Sequence, residues 1–248
     1  MIVTLLKIAV LIPWTIFMSL LALFSIPFER SGDFFRWTAR TWSKSILRLF
    51  GIRAAATGLE RLSPEEHYVF VSNHASMFDI PAAFAVLPKD VNIVFKKELS
   101  RIPVWGWALR YGHFIMIDRA NARDAMQSLE RAAATIRAGA SVLLFAEGTR
   151  TRDGRLQPFK RGAFSLALKA GRPVVPVTIN NTFHILPKGS IRIKPTDIRV
   201  FVGEPIQTTG LKGKSGEQQL MQEVHDSISR HYVDQSGAMD NGGHDSGR

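Results

Sequence analysis

A run of 21 residues without a charged side chain, residues 8–28, limits what the N-terminal part of this chain can fold into. Peptide groups in an apolar environment must satisfy their own hydrogen bonds, so the run is expected to be helical. It is long enough to cross the apolar core of a bilayer. Pro13 lacks a backbone donor, which favours a kinked, re-entrant or shallow arrangement as the alternative. A cleaved signal peptide is disfavoured, because the run is long for one and no Ala-x-Ala site follows.

Residues 33–50 have the periodicity of a second, amphipathic helix. At about 100° per residue, one stripe of this helix is apolar and another is basic. The apolar stripe contains Phe35, Ala39, Trp42, Ile46 and Leu49, and the basic stripe contains Arg36, Arg40, Lys44 and Arg48. Two arrangements fit this pattern, a helix in the membrane interface or a helix packed on the rest of the protein. Positive charges after the apolar run predict that the remainder lies on the cytoplasmic side of a membrane, with a bacterial inner membrane as the expected location.

The charge balance narrows the class of partner. Lys and Arg number 32 against 21 Asp and Glu, giving a formal net charge of +11. Such an excess suits nucleic acid, anionic lipid or acidic substrates. Nucleic acid is disfavoured, because the sequence has no helix-turn-helix signature and no arginine-rich run. Closely spaced zinc ligands are also lacking and there is no cysteine, so a metal site is not expected.

Beyond Gly51, short β-rich runs alternate with helical stretches, the order typical of an α/β fold. Strands are predicted at residues 68–72, 92–95, 114–117, 141–145 and 174–179, with one or two more within 191–202. Helices are predicted at residues 77–87, 104–110, 122–138, 161–170 and 218–232. The sheet is expected to be substantially parallel or mixed and flanked by helices. Pro176, within a strand run, indicates an edge strand or a bulge.

His74 and Asp79, separated by four residues, follow the first of these predicted strands. A neutral imidazole can take a proton from a hydroxyl near neutral pH, and a carboxylate can fix its tautomer and stabilise the imidazolium. A lone histidine is more often structural, but this pair predicts a general base and its orienting partner. No serine lies in a Gly-x-Ser-x-Gly motif, so the hydroxyl is expected to belong to a substrate that attacks a bound thioester or a similar activated carbonyl directly.

Further polar residues follow other predicted strands and suit an anionic substrate. Arg119 offers a fork of donors that matches a phosphate. The segment Glu147-Gly148-Thr149-Arg150 supplies a carboxylate, a glycine that permits a tight turn, a hydroxyl and a guanidinium. Two further candidates for binding the same anion, with solvent-exposed lysines as the alternative interpretation, are Lys96 and Lys160.

Four ordered blocks resemble the glycerolipid acyltransferases, in particular the 1-acylglycerol-3-phosphate acyltransferase branch. The blocks, within residues 60–205, are His74 to Asp79, Ile117-Asp118-Arg119, Phe145 to Arg150 and Val175-Pro176-Val177. Ala146 stands where the third block of that family usually has proline. The resemblance implies transfer of a fatty acyl group from acyl-CoA or acyl-ACP to the free hydroxyl of lysophosphatidic acid, giving phosphatidic acid. It also implies that residues 147–150 bind the substrate, and it implies neither a metal nor a bound organic cofactor.

This interpretation divides the chain into membrane-anchoring helices at residues 1–50, a catalytic domain at 51–233 and a disordered tail at 234–248. The expected partners are the acyl donor, a lysophospholipid acceptor and a bilayer containing anionic lipids. Two alternatives remain open. The acceptor can be another lysolipid, such as a lyso-ornithine lipid. A non-catalytic lipid-binding protein would need only the N-terminal helices and the positive charge.

Overall fold

The structure, a computed structural model, describes residues 2–29, 31–118 and 122–236. Two helices come first, α1 (Ile2–Ser25) and α2 (Asp33–Phe50), and they pack against each other. Pro13 lies inside α1 without ending it, and the indole N–H of Trp42 in α2 donates to Thr15 Oγ1 in α1 at 2.9 Å. Within the described residues, α1 alone is long and apolar enough to cross a membrane, judged by length and composition.

The rest of the chain forms a seven-stranded sheet with the order β1-β7-β6-β2-β5-β3-β4. The strands are β1 (Ala54–Thr57), β2 (Val69–Ser72), β3 (Val91–Lys96), β4 (Ile115–Ile117), β5 (Ser141–Phe145), β6 (Val174–Asn180) and β7 (Ile198–Val202). All neighbouring strands are parallel except β6 and β7, which are antiparallel. The predicted α/β fold, with a parallel or mixed sheet flanked by helices, is confirmed.

Helices cover both faces of this sheet. They are α3 (Asp79–Val86), α4 (Trp105–Tyr111), α5 (Ala122–Arg137), α6 (Arg161–Ala170), α7 (Thr182–Ile185) and α8 (Gly213–His231), with 3₁₀ turns at Leu59–Arg61 and Lys97–Arg101. On one face α2 and α3 share a core with the sheet, and on the other face α5, α6 and α8 do so. A parallel sheet needs this double cover, because its strands are apolar on both faces.

The N-terminal helix α2 is packed on the domain through α3. Its Arg40 guanidinium donates to the carbonyl oxygens of Phe84 and Leu87 at the end of α3. Lys44 and Arg48, in contrast, are exposed. Of the two predicted arrangements, α2 therefore has the one in which it is packed on the rest of the protein. Only part of its predicted basic stripe is free to meet lipid headgroups.

The side chains of β2 alternate between the two apolar layers, as strand geometry requires. Phe70 lies in the layer of α2 and α3, whereas Val69 and Val71 lie in the layer of α5, α6 and α8. The carboxyl ends of β2 and β5 are in register, with Ser72 opposite Phe145. The segments that follow these two strands therefore start side by side.

Pro176 does not lie in an edge strand, because β6 is paired on both sides, with β2 and with β7. Its carbonyl accepts a hydrogen bond from the N–H of Gly203 at 2.8 Å. The backbone N–H and C=O of one strand residue point to the same side, so the N–H that proline lacks would also point toward β7. The antiparallel pairs on either side of the proline are Val177 with Val202 and Val174 with Ile206. The edge-strand alternative was therefore wrong. Between these two pairs β6 has two residues and the segment after β7 has three, so one extra residue lies opposite Pro176, as in a β-bulge.

The structure also differs from the predicted elements at β1, within residues 191–202 and at the start of the C-terminal tail. The sequence pattern missed β1, because Ala-Ala-Ala-Thr lacks a β-branched run. Residues 191–202 contain one strand, β7. Of the predicted tail, residues 234–236 are described, and the N–H of buried Gln235 donates to the Gly154 carbonyl at 3.1 Å. The prediction of a disordered tail stays a prediction for residues 237–248, which lie outside the described residues.

Candidate active site

The loop after β2 carries His74 to the carboxyl edge of the sheet. Buried Asn73 fixes this loop, because its side chain makes two hydrogen bonds to the backbone of Ile179 in β6. Its amide donates to the Ile179 carbonyl at 2.9 Å, and its amide oxygen accepts from the Ile179 N–H at 2.8 Å. Asn73 therefore positions the neighbouring histidine, a role that sequence reasoning did not assign to it.

His74 and Asp79 form a hydrogen-bonded pair. His74 Nδ1 lies 2.7 Å from Asp79 Oδ2, and Asp79 is fully buried as the first residue of α3. The same oxygen accepts the backbone N–H groups of Ala75 and Ser76 at 2.8 and 2.9 Å. A carboxylate oxygen surrounded by N–H groups acts as an acceptor, so Nδ1 of the histidine carries the ring proton.

The imidazole of His74 is held in one orientation with its second nitrogen available. Because Nδ1 donates to Asp79, Nε2 keeps a lone pair that can take a substrate proton. The ring is stacked on Phe145 of β5, with 4.0 Å between ring centroids and 14° between planes. The structure thus brings together the two residues predicted to be base and orienter, and gives them the geometry that proton transfer requires.

Glu147 lies behind His74 and holds its backbone. Its Oε1 accepts the His74 N–H at 2.6 Å, and its Oε2 accepts the Gln157 N–H at 3.1 Å. The residue is only 4% exposed, and burial raises the pKa of its carboxyl to about 7 even though both backbone donors favour the ionised form. A further bond from the Thr151 N–H to the His74 carbonyl, 2.9 Å, ties the same two segments together. This geometry suits a positioning residue better than a direct ligand of substrate.

The raised pKa of Glu147 predicts a pH-dependent stability. Below its ordinary value of 4.5 the carboxyl is protonated whether the protein is folded or unfolded, so the shift has no effect there. As pH rises from 4.5 to about 7, the folded protein loses stability on the order of 3 kcal/mol at most, or about 6–12 °C in Tm. Thermal unfolding of wild type and Glu147→Gln in detergent at pH 5 and pH 8 measures this loss.

The Glu147→Gln variant is the matched control, because its side chain does not titrate. We expect the Tm of wild type to fall relative to that of the variant between about pH 5 and about pH 8, which span the titration range. An equal Tm difference at the two pH values would show that this carboxyl does not titrate as the buried site requires.

A cavity of about 410 Å³ opens beside His74. Its apolar part lies between the sheet and the helices α1, α2, α3 and α4. Residues lining this part include Met18, Ala22, Phe35, Trp42, Ile80, Phe84, Phe95, Trp105, Ala108 and Leu109. An apolar lining beside the imidazole is suited to an apolar ligand whose reactive end lies at His74.

The polar end of the cavity carries positive charge. It is lined by His74, Lys96, Gly148, Thr149, Arg150 and Lys188. Gly148 has a φ of 69°, which a tight turn here requires and which glycine adopts without strain. Lys188 was missed by sequence reasoning, because its loop has no motif, but its Nζ lies 3.5 Å from Thr149 Oγ1. Ammonium, guanidinium and hydroxyl groups at one end of a cavity suit a phosphate.

The remaining predicted residues are placed differently. Lys160 is exposed just before α6 and does not line this cavity. Arg119 lies outside the described residues, so its role stays a prediction. Within the described part of the chain, no three His, Asp or Glu side chains are grouped so that they could hold a metal ion.

Comparison with known proteins identifies the family. The family model described as Acyltransferase matches residues 53–180, just over half of the chain. The chain belongs to the acyltransferase family. The matched region of this acyltransferase contains the His74–Asp79 pair and the Glu147 segment.

Curated relatives match a longer part of the chain than the family model does. The 1-acyl-sn-glycerol-3-phosphate acyltransferase BAT2, chloroplastic, of Brassica napus is 38% identical over 186 residues, which cover 74% of this acyltransferase and 54% of that protein. The 1-acyl-sn-glycerol-3-phosphate acyltransferase alpha of Ovis aries is 36% identical over 165 residues, covering 66% and 58%. The chain spans about half the length of the curated relatives it matches.

A solved structure shares the whole architecture. The crystal structure of the 1-acyl-sn-glycerophosphate (LPA) acyltransferase PlsC from Thermotoga maritima superposes with a TM-score of 0.79 at 24% sequence identity. The alignment covers 99% of this acyltransferase and 97% of that chain. The two proteins therefore have the same fold, including the N-terminal helices.

Proposed function

We propose that this acyltransferase transfers a fatty acyl group from acyl-CoA or acyl-ACP to the free hydroxyl of 1-acylglycerol-3-phosphate, giving phosphatidic acid. The observation that carries this proposal is the position of the His74–Asp79 pair between an apolar cavity and a cationic polar end. An acyl chain suits the apolar part, where each buried methylene contributes about 0.8 kcal/mol. A phosphate suits the polar end. The names of the curated relatives support the same acceptor.

The transfer proceeds in one ternary complex. His74 Nε2 takes the proton of the acceptor hydroxyl while that oxygen attacks the thioester carbonyl. Asp79 stabilises the imidazolium that forms. When the tetrahedral intermediate collapses, the carbon–sulfur bond breaks, and the imidazolium returns its proton to the leaving thiolate. The products are an ester and a free thiol, and the enzyme is restored.

The cationic groups of the polar end are proposed to bind the phosphate of the acceptor. Lys96→Gln and Arg150→Gln should each lower kcat/KM for lysophosphatidic acid, because a charge-assisted hydrogen bond contributes about 1.5–3 kcal/mol, roughly tenfold or more. Transfer to 1-monoacylglycerol, which has the hydroxyl but no phosphate, should change far less. The measurement is acyl transfer to both acceptors at one donor concentration.

Lys214→Gln is the matched control for charge, because Lys214 is exposed on α8 and does not line the cavity. This variant should keep the kcat/KM ratio of wild type for the two acceptors. Equal losses for lysophosphatidic acid and monoacylglycerol in the Lys96 and Arg150 variants would mean that these residues support the fold or the donor instead.

We further propose that α1 holds the catalytic domain against one leaflet, with the active site on the cytoplasmic side. Ile8 and Leu11, near the start of α1, pack on the main core, and Met18 and Ala22 line the cavity. Ile8 and Ala22 are about 21 Å apart along the helix at about 1.5 Å per residue. The catalytic domain is packed against α1 over this length, so α1 could not cross the bilayer without carrying part of the domain into it. A shallow arrangement with the exposed side of α1 in lipid avoids this conflict.

The proposed activity is tested by mass spectrometry of products from the purified full chain, given mixed acyl donors and a panel of lysolipids in vesicles. Phosphatidic acid should be the main product, and its formation should require a thioester donor. Preferred acylation of a lyso-ornithine lipid would replace the proposed acceptor while keeping the chemistry. Membrane binding without any acyl transfer would support the non-catalytic alternative.

A further inference from the structure

The helix α4 and the turn before it expose three large apolar side chains next to the cavity. Trp107 is 46% exposed, Tyr111 is 61% exposed, and Ile102, in the turn before the helix, is 44% exposed. Trp107 and Tyr111 are four residues apart, so they share one face of the helix. Trp and Tyr are the residues enriched where a protein meets the boundary between lipid and water.

Positive charge accompanies these aromatic groups. Arg101 and Arg110 are exposed, and the Arg110 guanidinium lies 5.5 Å from the centre of the Tyr111 ring. Among the described residues, neither arginine is engaged in an ion pair. The segment from Lys96 to Tyr111 contains one acidic residue, Glu98, against four basic residues. Lys97 is paired with Asp118 and Lys96 lines the cavity, so Arg101 and Arg110 are the charges that favour an anionic surface. The four basic residues are Lys96, Lys97, Arg101 and Arg110.

The position of α4 is fixed by close backbone packing. A Cβ atom on Gly106 would lie 2.3 Å from the Leu99 carbonyl oxygen, and one on Gly112 would lie 2.2 Å from the Phe35 ring of α2. The helix starts from Val104, which has a φ of 63° and a ψ of −65°, with the Trp105 N–H donating to the Pro103 carbonyl at 2.7 Å. This is a γ-turn in a conformation that a β-branched residue rarely adopts. These close contacts and the turn therefore fix which side of α4 is exposed.

The apolar surface of α4 continues that of α1. Ala22 of α1 and Ala108 of α4 belong to one small core cluster, so the two helices meet there. On either side of Ala22, Leu20 is 52% exposed and Phe24 is 70% exposed. Soluble proteins rarely leave adjoining large apolar residues on two packed helices uncovered.

We propose that Ile102, Trp107 and Tyr111, flanked by Arg101 and Arg110, form a second membrane-binding surface that lies in the headgroup region of an anionic bilayer. This surface, here called the α4 surface, rests on the proposed use of a membrane-embedded acceptor, but it adds a contact besides α1. The inner side of the same helix lines the cavity through Trp105, Ala108 and Leu109. Contact of the α4 surface with lipid therefore holds the cavity at the level from which a lysolipid enters it.

The test uses the absence of cysteine from the chain, which allows single labels to be placed without other changes. Full-length Trp107→Cys and Tyr111→Cys are labelled with an environment-sensitive fluorophore and reconstituted into phosphatidylcholine vesicles with and without phosphatidylglycerol. Phe24→Cys on α1 reports a lipid-facing position, and Gln222→Cys, exposed on α8, reports an aqueous one. Quenching is measured with lipids brominated along the acyl chains, and far-UV circular dichroism and Tm in detergent show whether each labelled protein is folded.

We expect brominated lipid to quench the labels at Trp107 and Tyr111, more strongly when phosphatidylglycerol is present, and to leave the label at Gln222 unquenched. If the labels at both Trp107 and Tyr111 stay in water while that at Phe24 is quenched, α1 binds the membrane and the α4 surface does not. A blue shift of the α4 labels without quenching by brominated lipid would identify a protein partner, such as a second copy of the chain, and would also overturn the proposal. These readouts do not depend on turnover, so failure of the proposed reaction would be seen separately.

Discussion

His74→Ala is expected to reduce turnover by about a hundredfold to ten-thousandfold, the range that general-base assistance contributes. The variant removes the only imidazole that lines the described cavity, and with it the Nε2 lone pair that takes the proton. The His74 side chain is partly exposed in the cavity and its backbone bonds to Glu147 and Thr151 remain, so the fold should be kept. The measurement is kcat with saturating acyl donor and lysophosphatidic acid in vesicles.

His225→Ala is the matched control, because it removes an imidazole on α8 that does not line the cavity. It should retain the turnover of wild type. Far-UV circular dichroism and Tm show whether both variants are folded. A folded His74→Ala protein that keeps more than a small fraction of wild-type turnover would rule out this histidine as the base.

Asp79→Asn is expected to reduce kcat by about a hundredfold with little change in KM, at the lower end of the contribution of general-base catalysis. An asparagine oxygen can take the place of Oδ2 and still accept from His74, Ala75 and Ser76. The tautomer is then kept, but the negative charge that stabilises the imidazolium is lost. The measurement is steady-state kinetics with both substrates varied.

Asp79→Ala separates this catalytic effect from support of the fold. Alanine leaves the buried N–H groups of Ala75 and Ser76 without an acceptor, and each unsatisfied group costs about 1–3 kcal/mol. The alanine variant should therefore lose both kcat and Tm, whereas the asparagine variant should lose mainly kcat. If Asp79→Asn turned over as fast as wild type, the charge of Asp79 would have no part in catalysis.

Much of the candidate site could be predicted because its residues are close in sequence and lie at ends of elements. The apolar run of β2 and the start of α3 are local signals, and together they place His74 on a short loop and Asp79 at the start of the helix that follows it. The turn at Gly148 is also local, since a glycine after a strand permits a positive φ.

Other features depend on segments that are distant in the chain. Glu147 meets His74 across 73 residues, and Asn73 meets Ile179 across 106 residues. Sequence reasoning predicted a carboxylate near substrate, whereas the structure turns the oxygens of Glu147 to backbone N–H groups. Lys160 was a candidate for the same anion, with a solvent-exposed lysine as the alternative, and the fold leaves it exposed while bringing Lys188 to the polar end.

The sequence by itself determined the alternation of strands and helices, the apolar N-terminal helix and the positions of the motif residues at strand ends, because periodicity and turn chemistry act over a few residues. Tertiary structure alone decided that α1, α2 and α4 close an apolar cavity beside His74, that Pro176 lies in an interior strand and that Glu147 supports the histidine loop. These outcomes depend on strand order and on which faces pack together. Both are set by burial of apolar surface over the whole domain, which no local pattern specifies.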